Sequence, residues 1–192
     1  EGVEVTDPLI QSSATALPYN FVREVEVRAG GYDADSRSAL GGVLNLVSQT
    51  AAAEPAVLAN VGSRGERDLI GYFTGTGAAG WSGTLTAGAH DQSRQEISGA
   101  GWADLPGFRR YTLRPRVWWQ AGQPHSLLVT AGFTHEDRAG GTMPGSVLPD
   151  GSAFTAALHT QRVDGGLVSH WALDNGAELN GRASLTATQL ER

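Results

Sequence analysis

From Ala56 onward, apolar and polar residues alternate along most of the chain with a period of two, the repeat of a β-strand whose two faces meet different surroundings. The pattern predicts strands over Ala56 to Gly62, Arg67 to Gly77, Trp81 to Asp91, Phe108 to Gln120, Ser126 to Glu136, Thr160 to Leu173 and Ala177 to Leu190, with no helix between them. In the segment from Phe108, Tyr111, Leu113, Val117 and Trp119 fall on one face and Arg110, Thr112, Arg114 and Arg116 on the other. The next segment sets Leu127, Val129, Ala131 and Phe133 against Leu128, Thr130, Thr134 and Glu136. The segments from Trp81 and Ala177 divide the same way. Arg67 to Gly77 resists the division, because Leu69 and Phe73 face one way and Ile70 and Tyr72 the other. Pro115 falls inside a strand, where its missing N–H removes a ladder hydrogen bond, and a bulge is the expected remedy.

The connections carry a second pattern. Ala78-Ala79-Gly80, residues 121–125 and Asp174-Asn175-Gly176 read as tight turns, whereas Gln92 to Gly107 and Asp137 to His159 are long, polar and glycine-rich. Short and long connections alternate in an up-and-down meander whose two ends face different media, as in outer-membrane barrels. Strands this much longer than the ~5–6 residues usual in globular proteins also suit a tilted membrane strand. Trp81, Trp119 and Trp171 stand beside the three short turns, all on the apolar face by parity. Indole rings gather where hydrocarbon meets headgroups, because the ring is apolar and its N–H needs a partner. Tyr111 and Val163 mark the same faces further along, at a height of roughly 20 Å for ~3.3 Å per residue and a tilt near 40°.

Upstream, Val22 to Arg28 alternates valine with charge, and Val43-Leu44-Asn45-Leu46-Val47 is apolar at nearly every position, the mark of a strand covered on both faces. Gly30-Gly31 and Gly41-Gly42 lie between them, so that a compact β-α-β or hairpin-like unit fits. Ala51-Ala52-Ala53-Glu54-Pro55 reads as a linker, dividing the chain into 1–53 and 54–192.

Composition narrows the chemistry. The absence of cysteine excludes a disulfide scaffold and thiolate metal sites, and the net charge of −6 argues against a nucleic-acid groove. No apolar run is long enough for a transmembrane helix. The opening on Glu1 and the ending in mid-pattern at Arg192 are expected of a piece of a longer protein.

The segments Gly2-Val3-Glu4-Val5-Thr6-Asp7-Pro8, Val22 to Arg28 and Ala39 to Ser48 follow one another in the order and spacing of the late plug domain of TonB-dependent outer-membrane receptors. The "AGGYDAD...ALGGVLN" form is most similar to the Oar-like branch, from which the chain departs at Ser36-Arg37-Ser38. Gly141-Thr142-Met143-Pro144-Gly145 resembles a "GG..PG" loop of the same family. The resemblance implies the C-terminal part of a plug over 1–53 and about seven antiparallel strands of a large transmembrane β-barrel over 54–192. It further implies an outer-membrane location, contact with outer-membrane lipid, an unknown substrate, no nucleic acid, and a TonB-type energy-transducing partner. Arg23, Arg28, Gly41 and Gly42 would be plug–barrel contacts.

Candidate sites are few. Arg110, Arg114 and Arg116 would line the lumen, either drawing anionic substrate groups or pairing with plug carboxylates such as Glu24, Glu26, Asp33 or Asp35. Pairing is preferred, because a filled lumen must neutralise its charges. His135-Glu136-Asp137 is the densest imidazole–carboxylate cluster, and solvated charge at a strand end is its ordinary explanation. Asp33-Ala34-Asp35-Ser36 lacks the closing glutamate of a calcium loop. With no nucleophile elbow and no phosphate-loop lysine, no enzyme activity, cofactor or metal is expected. A soluble or secreted β-sandwich that binds glycans or protein partners is the alternative reading.

Overall fold

The computed structural model describes residues 22–28, 43–48, 51, 53–63, 65–120, 122 and 125–192. They form strands β1 (Val22–Arg28), β2 (Val43–Ser48), β3 (Ala56–Val61), β4 (Glu66–Thr76), β5 (Trp81–Gln92), β6 (Gly107–Gln120), β7 (Ser126–Gly141), β8 (Thr155–Ala172) and β9 (Glu178–Glu191). Among the described residues there is no helix. β1 and β2 pair antiparallel as a two-stranded sheet, with one extra residue at Arg23 where the register shifts between Val22 and Glu24. The remaining seven strands make one open antiparallel sheet in chain order, edged by β3 and β9. Gly41 and Gly42 lie outside the described residues, as do the side chains of Arg23 and Arg28.

All seven expected strands of the large sheet are present, and two of them are longer than their pattern. β7 continues to Gly141 and β8 begins at Thr155, because Asp137 to Gly141 ladder onto His159 to Thr155 although no apolar residue alternates there. A backbone ladder needs donors and acceptors, not hydrophobicity, so small and polar residues extend it wherever water covers their side chains. The long connections shrink to 93–106 and 142–154.

The bulge expected at Pro115 is absent. Leu85 pairs with Pro115 in an unbroken β5–β6 register, and the β6–β7 register is the same on both sides of Pro115. Only the ladder pairs at Arg114 and Pro115 are missing toward β7, which is the cost of one absent donor. At the turn after β4, Gly80 adopts a φ of 81° and accepts a hydrogen bond from the Gln120 amide at 3.0 Å. A Cβ there would lie 2.0 Å from the Gln120 carbonyl oxygen, so the close approach of β5 and β6 requires glycine.

Candidate functional site: a buried polar face

Burial follows side-chain parity in β6 to β8, and it runs opposite to the usual sense. Arg114 (7% exposed), Arg116 (6%) and Asp164 (3%) are buried, while Leu113 (44%), Phe133 (43%) and Val163 (56%) are exposed. Registered rungs build the exposed face. Gly71, Ala87, Leu113, Phe133, Val163 and Ala187 form one rung, and Gly75, Gly83, Val117, Val129, Leu167 and Ala183 another. At the short-turn end Trp81 sits directly opposite Trp119 with ring centroids 6.1 Å apart, and Trp119 lies 5.9 Å from Trp171. The indoles therefore touch in a row, as parity and turn position suggest. At the other end Arg67, Asp91, Arg109, Asp137, His159 and Glu191 share a single rung, so charge succeeds hydrocarbon within a few residues.

The polar face carries the charged chemistry. Arg114 donates through both terminal nitrogens to Asp164, at 2.8 and 2.9 Å, a forked geometry that suits guanidinium and carboxylate. The two residues stand on β6 and β8, with β7 between them. They meet because the intervening position is Gly132, where a Cβ would lie 2.5 Å from Arg114 Nη2 and 2.6 Å from Asp164 Oδ1. Arg162 Nε lies 3.9 Å from the same carboxylate. Further along, Glu136 accepts from Arg110 and, at 3.0 Å, from Arg138 Nε. The guanidinium carbons of Arg110 and Arg138 lie 5.2 and 6.0 Å from the Phe108 ring centroid, within cation–π range.

Arg110 and Arg114 thus meet carboxylates of their own sheet, Glu136 and Asp164, and the pairing expected with plug-side acids falls mostly on side chains outside the described residues. Of those acids, Glu24 is exposed, and Glu26, Asp33 and Asp35 have side chains outside the described set. Arg116 is buried opposite Thr130. Arg162, Asp164 and Gly132 were not singled out in the sequence, yet parity held the signal: Arg162 and Asp164 flank the outward Val163, so both fall on the polar face.

The same parity dissolves His135-Glu136-Asp137 as a cluster. Glu136 turns to the arginines, while His135 and Asp137 project from the opposite face, where Asp137 bridges His135 at 3.2 Å and His159 at 2.6 Å. No group of three or more histidine, aspartate or glutamate side chains among the described residues could hold a metal ion. Asp33-Ala34-Asp35-Ser36 lies outside the described residues. Ile70 and Tyr72, ambiguous by pattern, are buried on the polar face with Ala53 packed against them, and Leu69 and Phe73 belong to the exposed face.

The two long connections are built against each other. Gln95 bridges Leu105, Trp102 bridges Thr142, Met143 N donates to Gly101 O at 2.9 Å, and Trp102 stacks on Phe154 at 5.7 Å. Asp104 closes the first loop by accepting from the Ile97 and Ser98 amides at 2.7 and 2.8 Å. Those amide hydrogen bonds hold its carboxyl below the ordinary aspartate range. Asp150 does the same for the second loop, its carboxyl lowered by the hydroxyl and amide of Ser152.

In comparisons with protein-family models, curated proteins and solved structures, nothing matches this chain.

Proposed function

We propose that the chain is part of a TonB-dependent outer-membrane transporter, with residues 54–192 contributing barrel strands and residues 1–53 the late part of the plug. The observation that carries this reading is the inverted sheet. Its buried face holds Arg114, Arg116 and Asp164, and its exposed face holds Leu113, Val117, Phe133 and Val163. Water-soluble proteins rarely leave so extended an apolar surface bare, whereas a barrel wall presents that face to lipid and its polar face to the interior. The tryptophan row at the short-turn end fits a girdle at one headgroup layer, and the charged rung through Arg109 fits the opposite border.

In this role the protein changes no covalent bond. Substrate is recognised on the connected loops 93–106 and 142–154 and passes along the polar face when a TonB-type partner, energised from the inner membrane, displaces the plug. A soluble β-sandwich would cover the apolar face with a second sheet and leave the polar face to water, and the buried arginines run against that arrangement.

Fractionation tests the proposal. The expressed chain is expected to sediment with outer membranes, to need detergent for extraction, and to show tryptophan fluorescence quenched by brominated acyl chains. Recovery in buffer with unquenched tryptophans would overturn it.

A further inference from the structure

Two ion-pair groups on the polar face hold more positive than negative charge among the described residues. Arg110 and Arg138 share Glu136, and Arg114 and Arg162 share Asp164, so four guanidinium groups meet two carboxylates. Surplus charge away from water is costly unless a counter-charge and hydrogen-bond acceptors reach it. The shortfall is sharpest at Arg162. Its side chain is only 9% exposed, its Nε lies 3.9 Å from Asp164 Oδ1, and its Nη2 is buried with no hydrogen-bond partner. On the same rung, across Thr134, stands Thr112, whose buried hydroxyl also has no partner. A guanidinium edge and a hydroxyl on one rung of the polar face supply donors, and what they lack is an acceptor that carries negative charge.

We propose that Arg162 and Thr112 form a binding site for a free oxyanion, a carboxylate or phosphate group borne by a small solute. The site stands on the geometry of the polar face. That this solute is the cargo, and the cargo therefore anionic, rests on the transporter reading above. Arg114 and Asp164 position Arg162, since Asp164 is already held by the forked Arg114, keeps Arg162 Nε at 3.9 Å and leaves its Nη2 without a hydrogen bond.

Titration calorimetry of the full chain in detergent micelles, with inorganic phosphate and separately with citrate, tests the site. At least one of the two is expected to bind the wild-type chain. Arg162→Gln is expected to weaken that binding about tenfold or more, because a charge-assisted pair is lost. Arg162→Lys is expected to recover part of it, and Arg109→Gln on the opposite face to leave it unchanged. Circular dichroism checks folding, and Thr112→Val serves as the second probe should Arg162→Gln fail to fold. Three results would overturn the site: no binding of either anion to the wild-type chain, equal binding by the wild-type chain and both site variants, or binding that appears only after Glu24, Glu26, Asp33 and Asp35 are all changed to amides. The last result would mean that the chain's own carboxylates occupy the face. Membrane partitioning of the same preparations separates the two proposals: a chain that stays in buffer yet binds phosphate through Arg162 keeps the anion site and loses the transporter.

Discussion

Gly132 decides whether Arg114 and Asp164 can meet, because any side chain on the polar face of β7 at that height would stand between them. Gly132→Ala is expected to cost about 1–3 kcal/mol, the range for overpacking a closed site, read as a lower urea midpoint of the chain in micelles. Gly165→Ala is the control, since the nearest atom a Cβ would meet there, Thr130 O, is 3.7 Å away, an ordinary contact. Equal midpoints for the two variants would show that the ion pair does not pass over Gly132. Asp104 makes a second residue-scale prediction. Its carboxyl is lowered in the folded loop, so its contribution is complete at neutral pH and is lost as pH falls below the ordinary aspartate range toward the folded value. The amide resonances of Ile97 and Ser98 are expected to move together over that acid interval, and Asp104→Asn is expected to abolish the joint shift.

At the scale of the strand, lipid and water can be told apart on β9, where Leu185 and Thr186 are both exposed and point to opposite faces. In water an arginine at either position costs little. In a bilayer Leu185→Arg, on the mid-height rung with Phe73, Leu85 and Pro115, is expected to cost about 2–4 kcal/mol and Thr186→Arg far less. Urea unfolding in vesicles measures the difference, and equal costs would remove the lipid-facing assignment. Most of the large sheet was legible in the sequence because parity survives any local detail: Tyr111, Leu113, Val117 and Trp119 alternate with Arg110, Thr112, Arg114 and Arg116 whatever the neighbouring strands do. The ends of β7 and β8 were illegible, since Asp137 to Gly141 extend the ladder with residues whose composition reads as loop. Parity also left the ion-pair partners open. Which carboxylate faces Arg114 depends on the register of β8 and on a glycine in β7, and no local pattern encodes a contact between residues fifty positions apart.

At the scale of the whole molecule, β3 and β9 are the edges of the sheet among the described residues, and such edges pair with whatever strand they meet. In hydrocarbon each unpaired amide or carbonyl costs several kcal/mol, so an open sheet of this kind does not stay monomeric in a bilayer. Refolded by itself, the chain is expected to associate edge to edge, to lack a heat-modifiable monomer band and to give no stable single-channel conductance. A monomeric, conducting pore from these residues would contradict the open sheet. The Arg114–Asp164 fork has a further consequence for assembly. The short turns join β4 to β5, β6 to β7 and β8 to β9, so the arginine rides on one hairpin and its aspartate on the next. Neither hairpin is electrically complete without the other. Delivered singly to an apolar phase, β6–β7 would bring Arg114 without its forked carboxylate, and β8–β9 would leave Asp164 only the longer contact with Arg162. Side by side, they cancel across the glycine between them, which makes the four-strand block β6 to β9 the smallest set of whole hairpins in which this fork can enter an apolar phase already paired.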